Sequence, residues 1–155
     1  MSPTTDLLII GSFAAMVHGA LPDWRGGLYR DVDFVGTPEA VDALLAYYRY
    51  EAVAPSLERL FVTNRFGLAF DISLRGHLIP TVAEYADLMA VEINGLEITC
   101  LVARPELVFA LRDASADLVP VHADKARRDV EAYHAQGIEI DPALAEAAVA
   151  FRMDR

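Results

Sequence analysis

Short apolar runs and alternating stretches dominate the first two thirds of the chain, and helical spacing takes over after about Arg104. Leu7-Leu8-Ile9-Ile10 is an unbroken apolar run and predicts a short buried strand. Gly11-Ser12 follows as a tight turn, with Ser12 placed to cap a helix over about 13–20. Residues 21–29 contain Pro22, Gly26 and Gly27 and read as a loop. Residues 31–35 alternate as a strand. Thr37-Pro38-Glu39 then opens a helix: a capping hydroxyl, a proline in the first turn and an acid at the positive dipole end. Val41, Leu44, Leu45 and Tyr48 continue it at helical spacing.

Residues 58–63 and 68–74 read as two strands joined through Asn64-Arg65-Phe66-Gly67. In the second, Phe70, Ile72 and Leu74 share one face, and Ala69, Asp71 and Ser73 share the other. Thr81-Val82-Ala83-Glu84 has the pattern of a capping box and predicts a short helix to about Met89. Asn94-Gly95 between Val91-Glu92-Ile93 and Leu96-Glu97-Ile98 is the strongest hairpin signal in the chain. Pro105 starts a helix with Leu107, Val108 and Leu111 on one face. A longer helix runs from about Pro120 to Ala135 with Gly137 as its stop, and Asp141-Pro142 starts a last one ending near Met153. The result is an α/β (α+β) chain: a strand-rich core over 1–103 and a helical portion over 104–155, expected to form one compact domain.

Composition narrows the function classes. The 155 residues are 54% hydrophobic and 23% charged, enough for an ordinary buried core. A net charge of −10 argues against a broad electrostatic grip on DNA or RNA, which needs many Lys or Arg contacts to phosphates. The N-terminus lacks the positive region of a secretory signal, and no apolar stretch reaches the roughly 18 residues of a membrane span. The single cysteine, Cys100, has no internal partner, fits a reducing compartment and reads as a buried apolar residue on a strand. A cytoplasmic protein is the expectation.

Candidate chemistry sits near the N-terminus. Asp31 and Asp33 are one residue apart on a strand, so they leave the same face about 6.6 Å apart along the chain. Two carboxylates so placed hold a hard divalent cation well. The Gly11-Ser12 turn offers backbone N–H groups to a phosphate at a helix start. His18 reads as a packing residue or local hydrogen-bond donor. Trp24 reads as loop packing, with base stacking as the alternative. His122, Lys125, Arg128 and Asp129 share one helix face, either a solvated charged surface or a contact to phosphates. His77 and His134 show no metal-ligand spacing.

The order of these motifs carries a resemblance. Ile10-Gly11-Ser12, Asp31-Val32-Asp33 and Phe70-Asp71-Ile72 resemble the nucleotidyltransferase superfamily, which includes DNA polymerase β-like enzymes, small antibiotic nucleotidyltransferases and minimal toxin–antitoxin nucleotidyltransferases. The extra residues between Ser12 and Asp31 fall in the 21–29 loop, where insertions are tolerated. Arg104-Pro105-Glu106-Leu107 and the Lys125…Asp129 pair extend the similarity to about residue 135, with Ala126 in place of one family aspartate. The resemblance implies a mixed sheet flanked by helices and a small C-terminal helical portion. It implies that Gly11 and Ser12 hold a nucleoside triphosphate, and that Asp31, Asp33 and Asp71 bind two Mg2+ ions and carry the catalysis. Arg30 and Lys125 are the phosphate-contacting cations of choice, with Arg25 and Arg65 as further candidates. The implied activity is Mg2+-dependent transfer of a nucleoside monophosphate to an acceptor: a small molecule, a protein or tRNA. A protein of the same fold without turnover, serving as a nucleotide- or partner-binding module, antitoxin or regulator, is the alternative. A phosphohydrolase is a third option, without a histidine cluster to support it.

Overall fold

The computed structural model describes residues 1–27, 31–51, 59–62, 67–118 and 120–153. Its elements, in order, are β1 (Thr4–Ile10), α1 (Gly11–Val17), β2 (Asp31–Gly36), α2 (Pro38–Tyr48), β3 (Arg59–Val62), β4 (Ala69–Ser73), α3 (Ile79–Val82), β5 (Ala86–Ile93), β6 (Leu96–Ala103), α4 (Pro105–Leu118), α5 (Ala123–Ala135) and α6 (Pro142–Met153). The strands form one mixed sheet in the order β3-β4-β2-β1-β6-β5. β1 runs antiparallel to β2 and parallel to β6, and β2 runs parallel to β4. The two outer pairs, β3/β4 and β5/β6, are antiparallel.

Burial explains the central strands. Leu7, Leu8 and Ile9 of β1 are covered on both faces, as an apolar run in the middle of a sheet must be. β2 and β4 alternate instead. Val32, Phe34, Phe70 and Ile72 are buried, while Asp31, Asp33 and Asp71 are half-buried. Phe34 meets Phe70 edge-on at 5.0 Å, and Tyr48 of α2 meets Phe70 at 5.1 Å. This aromatic cluster fixes the α2 side of the sheet, so the acids at the intervening positions take the opposite face. The Tyr48 hydroxyl donates to the Ile93 carbonyl at 2.8 Å, tying α2 to the distant hairpin.

Local signals behave largely as the residues dictate. Thr37 caps α2, its hydroxyl accepting from the Ala40 N–H at 3.2 Å, and Asp141 does the same for Leu144 at 2.7 Å. Asn94 and Gly95 both adopt positive φ, 50° and 86°, as a two-residue turn between β5 and β6 requires. α5 ends in a paired-hydrogen-bond cap. Gly137, at φ 78°, donates to His134, and Ile138 donates to Tyr133.

Two local readings are corrected. α1 starts at Gly11 directly from the extended Ile10, without a side-chain cap, so Ser12 lies inside the first turn rather than before it. The turn is set by Gly11, at φ 73°. The capping-box pattern at Thr81 opens no helix to Met89. The Thr81 hydroxyl instead donates back to the Leu78 carbonyl at 2.6 Å, and Ala86 already pairs with Ala103. Pairing of β5 along the whole of β6 overrides a local helix preference. The turn joining β3 to β4 lies mostly outside the described residues, as do Arg30 and Arg65.

The three C-terminal helices pack on one another through α4, which also meets α1 and β6. α5 is held by a buried charge. Asp129, fully buried, accepts from Nε and Nη2 of Arg25 at 2.9 and 2.5 Å and lies 3.3 Å from Nε of Arg112 on α4. Asp129 therefore belongs to the interior, not to a solvated face. Its partner Arg25 lies in a single 3-10 turn, Asp23–Arg25, within the stretch predicted as a loop. Trp24 beside it packs against guanidinium groups: Arg128 lies 4.1 Å and Arg25 4.9 Å from its ring. Cys100 is fully buried, and burial pushes its thiol up to about 12, which makes it inert at neutral pH. Among the described residues, no helix is long and apolar enough to cross a membrane.

Candidate functional site

Strand register assembles the acids. β2 and β4 are parallel neighbours with Asp33 opposite Asp71, and Asp31 is two residues along β2 on the same face. Oxygens from Asp31, Asp33 and Asp71 all lie within 4.8 Å of one another, the one such cluster among the described residues. β1 runs on the other side of β2 with Ile10 opposite Asp33. The residue after Ile10 is thereby set against the Asp33 carboxylate. That residue is Gly11: a Cβ there would lie deep inside the contact distance of Oδ2 of Asp33 and 3.2 Å from its Cγ. The glycine thus serves twice, for its positive φ and for the space its missing side chain leaves to an acid.

The charges have consequences for one another. Burial pushes the Asp33 carboxyl from its ordinary 3.8 up to about 6, and the neighbouring Asp31 and Asp71 add to the rise. Arg112 and Arg152 oppose it. Three carboxylates held this close repel each other, and a divalent cation bridging them relieves that repulsion. The donor set fits such an ion: oxygen atoms only, from short side chains on two adjacent strands.

One cation contacts the cluster directly, and others act on it through their charge. On β3, Nε of Arg59 donates to Oδ1 of Asp71 at 2.7 Å, and its Nη2 pairs with Oδ2. This bond raises the Arg59 guanidinium above its ordinary value. Arg152 on α6 is pushed down to about 10 by burial and by Arg112 and Arg75, with Asp33 acting the other way. Its Nε donates to the Leu111 carbonyl at 3.3 Å. Lys125 on α5 is exposed overall, yet partial desolvation, Arg25 and Arg112 lower its amino group, while Asp129 and Asp31 raise it. Ser12 is buried in the first turn of α1, one residue after the glycine that faces Asp33. His18 ends α1 with its Nε2 buried and without a partner among the described residues.

Of the residues singled out from sequence, Asp31, Asp33, Asp71 and Gly11, with Ser12 next to it, gather around one point of the sheet. Arg25 points instead to Asp129. Arg59, Arg112 and Arg152 are additions from the structure. For Arg59 the signal was misleading: a 64–67 turn pairs Leu60 with Asp71 and turns Arg59 to the other face, whereas the observed register sets Phe61 opposite Asp71 and Arg59 on the acid's face. Arg112 and Arg152 had none, because their influence on Asp33 depends on how α4 and α6 pack.

No protein-family model matches the chain, and no curated protein matches it. Among solved structures it is similar to the crystal structure of an antigenic nucleotidyltransferase-like protein from Paracoccidioides brasiliensis, at 14% sequence identity. The superposition has a TM-score of 0.52 and covers 95% of this chain and 78% of that one. At that identity the likeness speaks for the fold.

Proposed function

We propose that this chain, with its nucleotidyltransferase-like fold and an acidic cluster able to take a metal ion, is a divalent-cation-dependent nucleotidyltransferase. It would move a nucleoside monophosphate from a nucleoside triphosphate to a hydroxyl or phosphate acceptor. The observation that carries the reading is the meeting of Asp31, Asp33 and Asp71 beside Gly11.

In this reading Asp31, Asp33 and Asp71 would together hold two Mg2+ ions. Bound there, the ions supply a lowered acceptor pKa and charge neutralisation on the leaving pyrophosphate. The chain's own residues do the rest. Gly11 keeps Asp33 close to the start of α1, and the Gly11-Ser12 turn takes the phosphates. Lys125 offsets part of the triphosphate charge from α5. Asp71 also stands where it can accept the acceptor's proton.

The bidentate hold of Arg59 on Asp71 is the one observation that favours a binding module without turnover. A direct assay separates the readings. Labelled nucleoside triphosphates are incubated with the protein, Mg2+ and candidate acceptors, and both binding and transfer are measured. We expect transfer by the wild type and its loss, with fold retained, in Asp31→Asn. Binding without transfer to any acceptor selects the module, and full turnover by Asp31→Asn overturns the metal-site assignment.

A further inference from the structure

The pairing of Arg59 with Asp71 is built by the sheet. β3 and β4 are antiparallel, with Phe61 opposite Asp71 and Arg59 opposite Ser73. Arg59 and Asp71 are therefore diagonal neighbours on one face, a distance that a long side chain spans. The guanidinium fork takes both oxygens of Asp71, Nε on Oδ1 and Nη2 on Oδ2. One of those oxygens is also needed for the three-carboxylate cluster. A guanidinium and a divalent cation on the same carboxylate compete for its lone pairs and repel each other.

The two partners are held very differently. Asp71 sits in an inner strand with its side chain 16% exposed, whereas the Arg59 side chain is 69% exposed on the edge strand. Solvent lies open to the arginine while the aspartate stays fixed. Resting on the reading of the acids as a metal site, we infer that Arg59 is an exchangeable counter-ion of the third carboxylate. Cation binding makes it give up one or both Asp71 oxygens, and its hold sets how tightly the cation binds. Water competes for the arginine end of the pair, so the cation wins the exchange at a modest loss of affinity. Arg59 acts through Asp71 and is a positioning residue.

The test is Mn2+ titration by calorimetry on the wild type, Arg59→Gln and Arg59→Lys, each checked for fold by circular dichroism. Arg59→Gln is expected to bind Mn2+ about fivefold more tightly than wild type, the equivalent of one weak ion pair. Arg59→Lys keeps the charge but lacks the fork, and is expected between the two. In the wild type, Mg2+ is expected to shift the 15N resonance of the Arg59 Nε, a readout that needs no variant. Unchanged or weaker affinity in both variants, with Mn2+ still bound, overturns the inference and leaves the metal site standing. Tighter binding by Arg59→Gln alone, with Arg59→Lys at the wild-type value and the Nε signal unmoved, also overturns it, because charge then acts only through space. Absence of Mn2+ binding in all three proteins removes the metal-site reading, and this inference with it.

Discussion

Replacing Asp33 with asparagine is expected to stabilise the fold while disabling its cation site. The Asp33 carboxyl is held at about 6 in the folded protein against an ordinary 3.8, because burial and the charges of Asp31 and Asp71 disfavour ionisation. The folded state therefore binds the proton more tightly than the unfolded chain does. The stability contributed by that proton is fully present below pH 3.8 and is lost as pH rises through about 6. At roughly 1.4 kcal/mol per pH unit, a shift of this size is worth about 3 kcal/mol at pH 8, an upper bound that salt and relaxation reduce to about 2 kcal/mol. The asparagine side chain carries no charge at any pH and escapes that loss. Urea denaturation of wild type and Asp33→Asn, in chelator at pH 8 and pH 5, measures the difference. The variant is expected to be more stable by about 2 kcal/mol at pH 8. The gap is expected to shrink by about half at pH 5, where the wild-type carboxyl is mostly protonated. A variant less stable than wild type at pH 8, or a gap that ignores pH, would refute the electrostatic account of the cluster.

Two further outcomes test the scaffold around the acids. Gly11→Ala puts a side chain at φ 73° and into the Asp33 carboxylate, so it is expected to lose about 1–2 kcal/mol from backbone strain and to weaken Mn2+ binding at least tenfold. Wild-type melting and affinity in that variant would show that Asp33 is not held by the turn. Asp129→Asn leaves Arg25 and Arg112 without their buried counter-charge and is expected to cost about 3–5 kcal/mol. A thermal melt should then fall by about 6–20 °C, and a change under about 2 °C would mean that the two arginines find other partners.

The legible parts of the fold are those whose cause is local. The Asn94-Gly95 turn demands positive φ from two residues that tolerate it, and Thr37 and Asp141 name the helix starts they cap. Alternation in β2 and β4 is equally local, which is why Asp31, Asp33 and Asp71 could be assigned a face. That they meet depends on β2 lying beside β4, a pairing that no local pattern encodes; only the shared metal role implied by the family resemblance pointed to it. The failures run the other way. The Thr81 capping pattern yields to β5 pairing with β6, a contact decided by the Asn94-Gly95 turn downstream. Asp129 shares its helix face with His122, Lys125 and Arg128, which predicts either a solvated surface or a contact to phosphates and not burial. Yet it also lies on the Ala126–Tyr133 stripe, and both of those residues are fully buried. Its burial becomes intelligible only with Arg25 in place, from a loop whose composition said nothing of a partner.

The link between Arg25 and Asp129 joins positions 104 residues apart. At ribosomal speeds of about 5–20 residues per second, the arginine waits roughly 5–20 s for its carboxylate to be made. Gly11 and all three acids are synthesised well before the helix that anchors their flanking loop. During that interval Asp31, Asp33 and Asp71 are already part of the chain while the carboxylate that clamps Arg25 is not, so the order of translation, as well as the final geometry, decides when the buried pair can close.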